Sequence, residues 1–144
     1  MNILRETLES FDGTDLFSLS LHANAPRSAV LFLHGIGEES AMYDSELKLL
    51  QREGHSTYAM DLRGHGKSPG SRNLLHSYDD IFEDLDIMVA RIREREGAKV
   101  PLFIVGYGFG GLVAACYIAS ERPSVNGLIC CGSAPKAKLH LFEQ

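Results

Sequence analysis

The residues best placed to do chemistry lie in one stretch, residues 100–122, VPLFIVGYGFGGLVAACYIASER. It reads as a buried strand over 102–105, a glycine-rich turn over 106–111 and a helix over 112–120. The turn holds Gly106-Tyr107-Gly108-Phe109-Gly110, the frame of a strand-turn-helix elbow that presents a nucleophile in the pattern G-x-S-x-G. The serine position is occupied by Gly108. Glycine has no side chain, so no covalent intermediate can form on it.

Two further loops carry polar side chains directly after apolar runs. The run AVLFL at 29–33 leads into His34-Gly35-Ile36-Gly37-Glu38, and a strand over 57–60 leads into Asp61-Leu62-Arg63-Gly64-His65-Gly66-Lys67-Ser68-Pro69. Glycines after a buried strand let the backbone turn sharply and approach a ligand closely. Gly35, Gly37, Gly64 and Gly66 suit such loops. His34 and His65 could serve as bases, but neither has a nucleophile to activate. They are better read as bracing their loops by hydrogen bonds.

The elements that must position these loops alternate in kind. Segments 5–10 and 16–21 read as two strands joined at Asp12-Gly13-Thr14, a hairpin turn. A helix over 42–53 puts Leu47 and Leu50 on one side and stops at Gly54. Ser77 caps a helix running to about Glu96. Its apolar stripe is Tyr78, Ile81, Phe82, Leu85, Met88, Val89 and Ile92, and its charges read as a solvated face suited to the helix dipole. Residues 127–131 make one more short buried strand. The order β-β-β-α-β-α-β-α-β predicts an α/β fold: a mostly parallel sheet of about six strands with right-handed crossovers.

Bulk properties narrow the function. The chain has 144 residues, with 14 Lys and Arg against 19 Asp and Glu, a net charge of −5. This is one domain's worth, and it lacks the clustered cations a nucleic-acid surface needs. Cys116, Cys130 and Cys131 lie in apolar runs; they are expected to be reduced core thiols of a cytoplasmic protein, with Cys130 and Cys131 on opposite strand faces. No metal-ligand spacing is present. No cofactor is called for. The first residues carry no apolar core of signal-peptide length. Residues 100–120 are uncharged and long enough to cross a bilayer, but Pro101 and the glycines divide them into two buried elements.

HGIGEES, DLRGHGKS, GYGFGGLVAA and ERP, in that order, resemble the monoacylglycerol lipase and lysophospholipase group of α/β hydrolases, the serine aminopeptidase S33-like set. The resemblance covers residues 10–135. It implies a three-layer α/β-hydrolase sandwich and carboxylic-ester hydrolysis, with a small acyl ester or lipid as ligand. It also implies an oxyanion hole formed by the backbone N–H groups of Ile36 and Phe109, and an elbow frame of Gly106, Tyr107 and Gly110.

Two departures follow. The nucleophile is missing at Gly108. The family's acid and histidine come later in the chain, and after Gly108 only Glu121, His140 and Glu143 are available, none of them on the later strands the family uses. The lid segment is missing too. The expectation is a single, incomplete domain over residues 1–144, truncated after the strand that follows the elbow helix and catalytically inactive. Alternatives are a truncated or Ser-to-Gly form of an active lipase or esterase, and a binding or assembly module. The last would pair through an apolar edge at 127–131, with a second copy or a complementary C-terminal fragment, and would leave Leu112 and Val113 partly uncovered. A fourth reading takes Gly106, Gly108 and Gly111 as the dinucleotide fingerprint G-x-G-x-x-G. It is opposed by the lack of an acid after the next strand and by the elbow's place on the fifth strand.

Overall fold

A computed structural model describes residues 2–72, 77–120 and 125–132. The expected Glu121, His140 and Glu143 lie outside them. Six strands form one sheet: β1 (Leu4–Glu9), β2 (Asp15–Leu21), β3 (Ala29–Leu33), β4 (Ser56–Met60), β5 (Leu102–Tyr107) and β6 (Gly127–Cys131), in the order β1-β2-β4-β3-β5-β6. β3, β4, β5 and β6 are parallel, and the β1–β2 hairpin joins β4 antiparallel. The helices are α1 (Asp44–Arg52), preceded by a 3-10 turn over Ser40–Tyr43, α2 (Tyr78–Glu96) and α3 (Phe109–Ala119).

The sheet is covered on both faces, and β3 shows why its sequence is apolar throughout. Ala29, Leu31 and Leu33 face the core built with α2 and α3. Val30 and Phe32 face the core built with α1, around Leu47 and Tyr43. Alternate side chains of a strand go to opposite faces, so a strand sandwiched between helix layers must be apolar at every position. The hairpin turns where expected: Gly13 takes φ 82° and the Asp12 carboxylate accepts from the Thr14 N–H at 3.0 Å. The Ser77 hydroxyl accepts from the Asp79 N–H at 3.1 Å and starts α2, and Gly97 ends it.

Five expectations are corrected. The elbow helix starts at Phe109, not at 112, and β5 reaches Tyr107. The glycines at 110 and 111 are therefore inside the helix, and the turn is made by Gly108 alone. Strand β6 is not buried: Ile129 is 55% exposed and Cys130 is exposed. Of the three thiols only Cys116 is a buried core group, while Cys131 packs partly against the α1-side core. Val113 on α3 is fully buried and only Leu112 is partly open. The charges of α2 are not all solvated, because Asp84 is 1% exposed. Among the described residues no helix is long and apolar enough to cross a membrane; residues 100–120 divide between β5 and α3.

Candidate active site

The elbow is a backbone structure. Gly108 sits at φ 51°, ψ −115° between β5 and α3, a conformation L side chains enter only under strain. A Cβ added there would meet nothing within 4 Å, so a side chain at this position would project into open space. The flanking glycines are the opposite case. A Cβ on Gly106 would lie 2.4 Å from the Gly111 Cα, and one on Gly110 would lie 2.3 Å from the Leu33 carbonyl oxygen and 2.5 Å from that of His34. Those contacts are impossible, so both positions must be glycine for strand, helix and the loop after β3 to touch. The Gly108 N–H donates to the Cys131 carbonyl at 2.9 Å, tying the elbow to the end of β6.

The loop after β3 is held by side chains. His34, fully buried, has its Nδ1 2.7 Å from the Gly35 carbonyl, while its Nε2 accepts from the Leu62 N–H at 2.9 Å. These partners require a proton on Nδ1 and none on Nε2. Burial pushes the pKa of His34 below its ordinary value, partly opposed by the Gly35 carbonyl. Glu38 accepts from the Gly35 N–H at 2.8 Å and from the Tyr43 hydroxyl at 2.5 Å. Those two donors hold its carboxyl below the usual range. Ile36, with its side chain 61% exposed, and Gly37, at φ 75°, form the outer part of the loop.

The loop after β4 is packed around Asp61. Its carboxylate accepts from the Ser40 N–H at 2.6 Å and the Lys67 N–H at 2.8 Å, and its carbonyl accepts from the Ser68 hydroxyl at 2.6 Å. Gly66 is forced by this carboxylate, since a Cβ would lie 2.2 Å from its Oδ2. Gly64 packs against the Ser71 carbonyl in the same loop. His65 has Nδ1 3.2 Å from the Arg63 carbonyl, and its ring lies 5.0 Å from that of His34. Both histidines brace loops. Arg63 does the same: it grips Asp84 with two hydrogen bonds of 2.7 Å and reaches Asp12 at 2.9 Å. Ser10 donates to the same Asp84 carboxylate at 2.5 Å. Hydrogen bonding to Asp84 drives the Arg63 pKa further up, and Arg63 in turn holds Asp12 down.

Sequence reasoning brought the three loops together but missed Glu38, Tyr43 and Asp84. Asp84 had a signal: three residues after Ile81 and four before Met88, it falls on the buried stripe of α2. On the α1 side, Tyr107 stacks near Tyr43 with ring centres 4.6 Å apart, beside Phe32. On the other side, Phe109 packs against the α2–α3 core.

A mostly parallel sheet between helix layers, with a glycine-framed elbow at the carboxyl end of β5, defines an α/β hydrolase. The family model for serine aminopeptidase, S33, matches residues 24–143. The chain belongs to that family. It is similar to the monoglyceride lipase of Rattus norvegicus, at 30% identity over 118 residues, covering 81% of this chain and 38% of that protein. The monoglyceride lipase of Saccharomyces cerevisiae is 30% identical over 141 residues, covering 92% and 44%. Among solved structures, a soluble variant of the S. cerevisiae lipase with a substrate analog superposes with a TM-score of 0.79 at 26% identity, over 90% of this chain and 44% of that one. A carboxyl esterase from Bacillus coagulans gives 0.80 at 25% identity, over 93% and 45%. The chain thus spans less than half the length of these relatives.

Proposed function

We propose that this chain is a hydrolase-fold protein that keeps the frame for binding a small acyl ester or lipid and has lost acyl transfer at the elbow. The observation that carries this is Gly108 itself: a strained elbow with room for a side chain and none present. In this reading the N–H groups of Ile36 and Phe109 are the oxyanion donors. Phe109 opens α3, where the first N–H groups have no intrahelical acceptor. In the same reading the described residues belong to one domain, and the protein works in the cytoplasm. Its acid, histidine and lid would come from a complementary C-terminal segment. Losing the nucleophile of a serine hydrolase costs about 10⁶ in turnover and leaves roughly 10³–10⁴ over water.

The test uses a short p-nitrophenyl ester and a fluorophosphonate. The elbow segment is expected to take up neither acyl nor phosphonyl group. Gly108→Ser in the present chain is expected to stay inactive at the elbow. The same substitution in a chain extended by the C-terminal half of a relative is expected to hydrolyse the ester and be labelled at 108. Turnover by the unaltered protein that resists fluorophosphonate would overturn the reading.

A second reading, a Ser-to-Gly form of an active lipase, is favoured by the open space at Gly108 and is decided by the same extended chain. A third, an assembly module, is favoured by the exposure of Ile129 on β6. It predicts self-association or capture of a complementary fragment by light scattering. Binding of NAD by calorimetry would instead support the dinucleotide reading.

A further inference from the structure

The end of the sheet opposite the elbow holds a second constellation. Ser20 pairs with Tyr58 and Leu21 with Thr57. This places them at the amino end of β4, whereas the elbow lies at the carboxyl end of the parallel strands. There Ser20 Oγ is 3.0 Å from His22 Nε2, and His22 Nδ1 is 3.1 Å from Glu96 Oε1. The protonation pattern follows from the partners. A carboxylate only accepts, so Nδ1 carries the proton. Arg95 Nη1, always a donor, lies 3.2 Å from Nε2, so Nε2 is the unprotonated nitrogen, and the Ser20 hydroxyl, at 3.0 Å, competes with Arg95 for its one lone pair. The Tyr58 hydroxyl donates to the same Glu96 oxygen and fixes the carboxylate. Arg95 is itself held by Glu6 at 2.5 Å.

We infer that Ser20 is an activated nucleophile with His22 as its base and Glu96 as the positioning residue. Nucleophile within hydrogen-bond reach of a base, and base oriented by a third group, is the general signature of this chemistry on any fold. Ser20 is 3% exposed and the Glu96 side chain 6%, but the His22 side chain is 36% exposed. The imidazole is thus the most open of the three groups, and any reagent reaching Ser20 must be small. In the reaction, Ser20 Oγ bonds to the carbonyl carbon of a small ester as its proton passes to His22 Nε2. The ester C–O bond breaks and the leaving alkoxide takes that proton. Water then hydrolyses the acyl-serine by the reverse path, releasing the carboxylic acid. Arg95 Nη1, 3.5 Å from Ser20 Oγ, supplies positive charge near the developing oxyanion.

The experiment treats the full chain with diisopropyl phosphofluoridate and with p-nitrophenyl acetate, and maps adducts by mass spectrometry. One adduct on the Ser20 peptide is expected, absent in Ser20→Ala. His22→Gln and Glu96→Gln should each slow labelling about 100-fold, the scale of general-base assistance. Tyr58→Phe, which removes one hydrogen bond to the carboxylate, should give a smaller drop in a protein that still folds. Glu96→Asp, which keeps a carboxylate beside Nδ1, should recover part of the rate lost in Glu96→Gln, a rescue that a purely structural brace would not give. Adducts scattered over surface hydroxyls, or rates indifferent to Glu96→Gln and Tyr58→Phe, would overturn the inference. Absence of any Ser20 adduct would sink it and leave the reading of Gly108 standing. Ester turnover retained in Ser20→Ala would count against the reading of Gly108 instead.

Discussion

At the carboxyl end of the parallel strands the protein has a frame written in its backbone: the Gly108 torsion and the glycine contacts of 106 and 110. The polar side chains around it, His34, Glu38, Asp61 and Arg63, are committed to holding loops. At the amino end the case is reversed. Ser20, His22 and Glu96 form a connected chain of side chains on an ordinary strand and the last turn of a helix, with no strained turn beneath them. The difference teaches that the elbow's shape does not depend on the side chain it carries: close packing at Gly106 and Gly110 holds it with glycine at 108.

The comparison breaks most readily at Asp84. If backbone alone shaped the elbow end, this residue would be dispensable. It is buried and doubly bonded to Arg63, so Asp84→Ala should leave the partly buried guanidinium with Asp12 as its one carboxylate partner and cost about 3 kcal/mol, read by urea denaturation. A near-neutral result would mean that Asp12 alone can hold Arg63. Gly110→Ala should follow, at about 1–3 kcal/mol or somewhat more, because its Cβ would strike the backbone oxygens of Leu33 and His34 and neither can yield without moving β3.

Gly108→Ser sharpens the contrast. It meets no atom within 4 Å, so only the backbone torsion resists it, at about 1–2 kcal/mol. A thermal scan should therefore rank Gly110→Ala well below Gly108→Ser. Equal losses would show that the elbow tolerates no side chain anywhere.

Much of this architecture was legible in the sequence. AVLFL could only be a strand covered on both faces, and the turn and cap residues marked the hairpin and α2. The elbow was legible as a motif but not in its boundaries. Glycines read as a turn because they permit one, yet Gly110 and Gly111 serve close packing inside a helix. Strand β6 had the right residues and the wrong burial, since a run such as GLICC looks the same at a sheet's centre and at its edge. Arg63 resembled a site residue until its partner Asp84, 21 positions away, was placed beside it. The pairing of Ser20 and His22 with Glu96, 74 residues beyond His22, is a product of topology that no local pattern encodes.

The smallest predicted effect is a pH dependence that separates bracing from catalysis at His34. In the folded protein its Nε2 must stay unprotonated to accept from Leu62, and burial lowers its pKa from the reference 6.5. The unfolded chain therefore binds a proton below pH 6.5 that the folded chain refuses. Since stability rises with pH wherever the unfolded state holds more protons, acidification from neutrality should destabilise the fold, starting near pH 6.5 and continuing until the folded ring also titrates. The carboxyls of Glu38 and Asp12 are depressed in the fold, so their contribution is lost only at lower pH, below their reference values of 4.5 and 3.8. His34→Gln should flatten the upper part of this curve and leave the lower part in place. If denaturation midpoints measured across the same range keep their slope in His34→Gln, some other group governs the acid response and the histidine is not the brace its two hydrogen bonds describe.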